Sequence, residues 1–356
     1  MSVMAVAVGG CASPTEVTTA SPTTLPTTTD PATNRMFDDL GVGPYRSRGG
    51  VQVGYGPRSV AIDSGLHKAY VATEDPSLPP YPVTVTVLDT RTQTVTASIP
   101  VDGVFVHGPQ SIAVDPATHL VYLIDAGPSG DLSVIDPMTN TVTARIRTAD
   151  AFHHSAVAVD SEHHTVYVAA DYLQTITAID TRSNTVVATI PVHGKPAALA
   201  VDPGNHHLWV ATERNVSEFD PASFALNAMV PLIGDPSGLA IDPETHTAYI
   251  TDLFGKSAVT FIDTTTYTVG SISLGREASY AAAVDPATHT VFLTSGGFGS
   301  ITMIDTRTRK VTASRLTVKE PSGGSWTGGI AVDTTTHEVY VENGESSRTI
   351  EILTPI

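Results

Sequence analysis

The chain has 356 residues, is 41 % apolar, and carries a formal charge of −17 with a pI near 5.0. That apolar share can fill a packed core, whereas the acidity excludes nucleic acid, which needs a basic footprint, and disfavours anionic membrane surfaces. A single cysteine, Cys11, excludes an intrachain disulfide and a thiolate metal cluster.

Met1–Gly10 is small and apolar and ends Val8-Gly9-Gly10 ahead of Cys11. Residues 1–11 resemble a truncated export signal with a bacterial lipobox, in which the cysteine is lipidated. The segment holds no Lys or Arg and is shorter than the ~15–30 residues of an ordinary export signal. Residues 12–45 read as a Thr/Pro-rich disordered tether. Within it, Ala12–Asn34 holds nine Thr, four Pro and two Ser among 23 residues. Such a stretch cannot bury a core. Extended at ~3.1 Å per residue, it spans up to ~70 Å. No other stretch is long and apolar enough to cross a bilayer. These features predict an exported, lipid-anchored protein of a bacterial cell envelope, in the periplasm or on the outer face of the membrane. Its contact with the membrane runs only through the anchor, and a monomer is expected.

Residues 46–356 carry seven copies of one pattern: an apolar run, Asp, three residues, His, and a second apolar run. The Asp markers are Asp63, Asp115, Asp160, Asp202, Asp242, Asp285 and Asp333. Each is followed four residues later by His67, His119, His164, His206, His246, His289 or His337. The markers lie 40 to 52 residues apart, the spacing of propeller blades. The second copy holds four short runs rich in Val, Ile and Thr: Ser111–Val114, Leu120–Ile124, Leu132–Ile135 and Thr141–Ile146. Bounded by Pro, Asp, Asn and Gly, these runs are predicted strands. In sequence order they make an antiparallel meander, which is one blade. A second recurring turn starts at Asp89, Asp136, Asp180, Asp220, Asp263 and Asp305. In both turns the carboxylate can accept backbone N–H groups two or three residues on. The seventh unit has Val339–Val341 and Thr349–Leu353 but no fourth run. Val51–Tyr55, ahead of the first marker, is the predicted strand that completes it and shuts the ring. The predicted fold is all-β: a seven-bladed propeller of four-stranded antiparallel blades closed by an N-terminal strand. Closure removes two exposed sheet edges.

The units AVDSEHHTVYVAADYLQTITAIDTRSNTVVATIPV and AVDPATHTVFLTSGGFGSITMIDTRTRKVTASRL resemble the YVTN-type β-propeller repeat of bacterial surface and periplasmic proteins. The matching features are the Asp-Pro-x-Thr-(Asn or His) turn, the Tyr-Val-(Ala or Thr) strand and the Ile-Asp-x-x-Thr turn. The likeness covers about residues 46–356 and brings no catalytic motif with it. This chain places His where that family usually has Asn. The Gly-His and Trp-Asp signatures of WD40 repeats are absent.

The seven repeat histidines read as structural, because a site occurs once while a turn recurs in every blade. They are spaced around one rim and cannot converge on one ion. Each is expected to pack its own turn, bonding the Asp four residues earlier. The opposite rim carries the crossovers between blades and the second-to-third loops, and there residue choice becomes individual. The candidate ligand-binding residues are His107, His153, His154, His193, Lys195, Asp171, Arg276, Glu277, Tyr280 and Trp326, with Asp235, Glu213 and others around them. Gly255-Lys256-Ser257 lacks the glycine and the helix of a phosphate loop, and no Gly-x-Ser-x-Gly or His-Glu-x-x-His occurs. The leading expectation is a non-catalytic binding module for a small polar ligand or an exported protein, with no cofactor and no metal. The alternative is a metal-dependent lyase or lactonase using a His from the crossover rim with a carboxylate such as Glu277 or Asp171.

Overall fold

Seven residues beyond each marker stands an aromatic: Tyr70, Tyr122, Tyr167, Trp209, Tyr249, Phe292 and Tyr340. All seven are fully buried. Each sits on the second strand of its unit and points into a cluster completed by the next unit. Tyr70 packs with Ile112, Val121 and Leu123. Trp209 packs with Leu239, Ile241 and Ile250. Tyr340, in the last unit, packs with Val60, Ala69 and Val71 of the first. The core is therefore seven inter-blade layers, each holding one of these seven aromatics, and the last layer joins the two ends of the chain. Truncating a buried aromatic of this kind costs about 3–5 kcal/mol.

A computed structural model describes residues 44–75, 82–104, 108–125, 131–148, 154–232, 234–253, 258–275, 278–295, 299–316, 328–343 and 348–356. It is all-β and holds seven four-stranded antiparallel sheets, each a meander. The first strands stand at the axis: Pro57–Asp63, Ile112–Val114, His154–Asp160, Pro196–Val201, Pro236–Asp242, Ser279–Asp285 and Ile330–Asp333. Each touches the first strand of both neighbours, so the ring is shut. Second strands such as Thr165–Ala170 are buried along their whole length, and fourth strands such as Thr185–Pro191 are mostly exposed. Among the described residues no helix is long and apolar enough to cross a membrane. Cys11 and nearly all of the expected tether lie outside the described residues.

The ring is closed by the N-terminal strand, but not by the one read from the sequence. The closing strand is Tyr45–Gln52, not Val51–Tyr55. It pairs antiparallel with Thr349–Pro355, Tyr45 opposite Pro355 and Gln52 opposite Thr349. Arg46-Ser47-Arg48-Gly49-Gly50 shows no apolar run because this is the outermost strand of blade 7, exposed along most of its length. A bulge between Ser47 and Gly49, with Gly49 at φ +100°, lets it follow its neighbour. Tyr45 anchors it by setting its ring edge-on to Phe292 of blade 6, with centroids 5.0 Å apart.

The two recurring turns differ in how they use their Asp. In the third-to-fourth turns one oxygen gathers the whole bend. Asp180 Oδ1 accepts the N–H groups of Arg182 and Ser183 and the Ser183 hydroxyl, all at 2.8–3.1 Å. In the first-to-second turns every repeat histidine has positive φ, from +49° to +65°. That explains a position shared between Asn and His, since both tolerate the left-handed region. The expected bond from each imidazole to its own Asp is not formed. His119 Nδ1 instead lies 2.8 Å from Asp63 Oδ2 of the preceding blade, and His337 Nδ1 lies 2.8 Å from Asp285 Oδ2. The left-handed turn aims the ring sideways at the neighbouring blade.

Candidate functional site

The crossover rim is built by proline at strand entry. Gly56-Pro57, Lys195-Pro196 and Asp235-Pro236 each open a first strand, where the missing N–H is not needed. A register shift comes at once, between Pro57 and Ser59, Pro196 and Ala198, and Pro236 and Gly238. Hydroxyls beside these entries staple one blade to the next. Ser59 Oγ donates to Pro109 O at 2.8 Å, Ser155 Oγ to Pro196 O at 2.6 Å, and Thr251 Oγ1 to Tyr280 O at 2.8 Å.

Inside this stapled rim is a cavity of about 600 Å³. Gly108 and Pro109 of the crossover into blade 2, and Ser155 of blade 3, form one side. Lys195, Pro196 and Ala197 enter from blade 4, Asp235, Pro236 and Ser237 from blade 5, and Tyr280 from blade 6. Asp171 and Glu213 come from second-to-third loops. Among the described residues its lining carries three carboxylates and one ammonium.

Local geometry fixes these groups. Glu213 Oε2 accepts the Lys195 backbone N–H, and the Arg214 guanidinium lies 3.8 Å from Oε1. Gly194, at φ +110°, makes that approach possible. A Cβ there would stand 3.0 Å from both Glu213 Oε2 and Thr212 Oγ1. The Lys195 ammonium lies 5.4 Å from the centre of the Tyr172 ring, a cation–π contact.

Among the described residues, the Gln110 side chain bridges first strands across the ring. Gln110 Nε2 donates to Leu199 O at 3.2 Å and Leu239 O at 3.1 Å, while its Oε1 accepts Leu199 N–H at 3.2 Å. It reaches from the entry of blade 2 to the first strands of blades 4 and 5. Only one amide orientation satisfies all three bonds.

Three of the ten sequence candidates, Asp171, Lys195 and Tyr280, line this cavity. His193 does not. Its carbonyl accepts Thr212 Oγ1 at 3.0 Å and Asn215 Nδ2 at 2.7 Å, which holds the neighbouring loop. His154 opens the first strand of blade 3. The His154 side chain, and His107, His153, Arg276, Glu277 and Trp326, lie outside the described residues.

The chain matches no family model and no curated protein. Among solved structures, the hydrazine synthase of Kuenenia stuttgartiensis superposes with a TM-score of 0.70 at 18 % identity, over 85 % of this chain and 97 % of that one. A likeness at that identity concerns the fold.

Sequence reasoning passed over Gln110 and over two histidines on the other rim, His163 and His207. Their signal is visible: each sits in a doubled His that interrupts the repeat, His163-His164 and His206-His207. His207 Nδ1 lies 2.6 Å from Glu218 Oε1, whose partner oxygen accepts the Tyr267 hydroxyl at 2.6 Å. One repeat histidine meets a non-repeat one at a shared carboxylate. His206 turns toward Asp160 of blade 3, where His163 already stands.

Proposed function

We propose that this chain is a YVTN-type propeller displayed outside the cytoplasm on a lipid-anchored tether, and that its crossover cavity binds a small, polar, cationic ligand. The observation carrying the ligand class is the cavity's lining, where among the described residues three carboxylates, Asp171, Glu213 and Asp235, stand with one ammonium, Lys195. Carboxylates give charge-assisted hydrogen bonds to a cation, shorter and stronger than neutral ones. The acidic surface favours the approach of cations. The Cys11 context and the Thr/Pro-rich segment support the address.

Calorimetric titration of the full chain with small organic diamines and with dicarboxylates of equal length tests the ligand class. Diamines are expected to bind and dicarboxylates not to. Asp235→Asn should weaken diamine binding roughly 10- to 100-fold, the equivalent of one charged hydrogen bond. Preference for the dicarboxylate, or a diamine affinity indifferent to both Asp171→Asn and Asp235→Asn, defeats the reading. Cys11→Ala should release the protein from the membrane fraction; a variant that stays fully bound removes the anchor.

A further inference from the structure

On the turn rim, opposite the cavity, some marker carboxylates meet the imidazole of the following blade, as in Asp63 with His119 and Asp285 with His337, both at 2.8 Å, while Nδ1 of His67 and of His289 is buried with no hydrogen-bond partner. The residue three places after the marker serves the same carboxylate from within its own blade. It is a threonine in blade 2, where Thr118 donates to Asp115 Oδ2 at 2.8 Å, and in blade 5, where Thr245 donates to Asp242 Oδ2 at 2.9 Å.

Between blades 3 and 4 both kinds of partner are histidines. His163 stands where those blades have threonine, and its Nδ1 lies 2.8 Å from Asp160 Oδ2. His206 of blade 4 brings its own Nδ1 to 3.2 Å from Asp160 Oδ1. One carboxylate thus meets two imidazole nitrogens. The three ligand atoms lie within 4.8 Å of one another, the one such group among the described residues.

We propose that Asp160, His163 and His206 form a mononuclear site for a divalent transition-metal ion of the zinc class. Two neutral imidazoles and a carboxylate are borderline donors, suited to zinc and its first-row neighbours. A single carboxylate is a poor match for calcium or magnesium, which prefer several oxygens. Three protein ligands leave a coordination position for water.

Asp160 is held before any ion arrives. Its side chain is buried, and Oδ1 accepts the backbone N–H groups of Glu162 at 3.1 Å and His163 at 3.2 Å. The rings stand partly in solvent, 35 % and 36 % exposed, so an ion has a way in. They meet edge to face, 5.6 Å between centres, which brings the nitrogens together without stacking the rings. His206 is fixed by its left-handed turn, φ +64°, and by its N–H bond to Asp202 O at 2.8 Å. When the ion binds, each neutral ring gives its Nδ1 lone pair to the metal and carries its proton on Nε2. Bound there, the ion ties the turn of blade 3 to that of blade 4. It lies apart from the crossover cavity, because Asp160 is five residues along the same strand from Ser155, about 16 Å.

The test uses the full chain, freed of metal with chelator and titrated with Zn²⁺ by calorimetry and with Co²⁺ by visible absorption. The wild-type chain should take up one equivalent more than His163→Thr, and His163→Thr should lose the associated cobalt absorption band. His163→Thr restores the residue that blades 2 and 5 use, so its fold is secure, and an unchanged melting temperature in chelator verifies it. His119→Ala, which breaks an ordinary pair elsewhere on the rim, should leave the equivalent in place. Equal stoichiometry and affinity in wild type and His163→Thr, or no uptake by either, overturns the proposal.

Discussion

One carboxylate oxygen organises each third-to-fourth turn, and this makes the ring sensitive to acid. Asp263 shows the balance of effects. Burial pushes its carboxyl upward, but the hydroxyl and amide groups of Thr265 and Thr266 outweigh it and hold the carboxyl down at about 2. Asp89 and Asp305 are lowered first by the amides of Thr92 and Thr308, and Asp220 first by the Ser223 hydroxyl. A folded-state pKa below the unfolded value of about 3.9 gives stability that is complete above about pH 4. It is lost as pH falls through the folded value, so for Asp263 the window runs from about 4 down to about 2. Urea midpoints measured between pH 5 and pH 2.5 should therefore fall steadily below about pH 4. Asp263→Asn keeps an oxygen acceptor but cannot ionise. It should lower the midpoint at pH 5 and make the acid decline shallower, whereas an undiminished decline would show that this turn is not part of it.

At the scale of the element, legibility follows burial. Second strands are apolar on both faces because each lies between two others and between two blades, so Thr165–Ala170 and its equivalents stand out in the sequence. The closing strand has one partner and one exposed face, so nothing forces an apolar pattern on Arg46-Ser47-Arg48-Gly49-Gly50. Of the two valines that suggested a strand further along, Val51 lies near its C-terminal end and Val53 just past it. The same reasoning covers the histidines. Their place in each turn was legible from the repeat, but the reach of His119, His206 and His337 to the previous blade was not, because a left-handed φ is a property of backbone geometry. If closure rests on the anchor at the start of this strand, Tyr45→Ala should lower unfolding free energy by about 3–5 kcal/mol, the usual cost of emptying a buried aromatic site. Denaturant melts would measure it. A loss below about 1 kcal/mol would mean that the strand's backbone pairing alone shuts the ring.

For the whole molecule, the repeat told which rim is uniform and which is individual, and of the ten candidates placed on the individual rim Asp171, Lys195 and Tyr280 line its cavity. It could not show which individual residues meet, since that depends on the curvature of the ring. Gln110 is the clearest case. Nothing local marks it, yet it spans the axis to strands 89 and 129 residues away in sequence. Its amide is matched in polarity to what it meets, two N–H groups facing two carbonyls and an oxygen facing an N–H. Gln110→Glu keeps the shape and reverses part of the polarity. A carboxylate would then face the carbonyls of Leu199 and Leu239 with no hydrogen to offer. Each unpaired buried acceptor costs about 1–3 kcal/mol, and like-sign repulsion adds to it. Gln110→Ala removes the bridge but leaves space in which water can serve the same carbonyls. Urea melts at pH 7 should therefore rank wild type above Gln110→Ala and Gln110→Ala above Gln110→Glu. At a pH low enough to protonate the new carboxyl, Gln110→Glu should recover relative to Gln110→Ala, because a protonated acid can donate once again. If the glutamate variant is as stable as wild type at pH 7, the side chain does not hold the three blades together across the axis, and the ring of first strands does so alone.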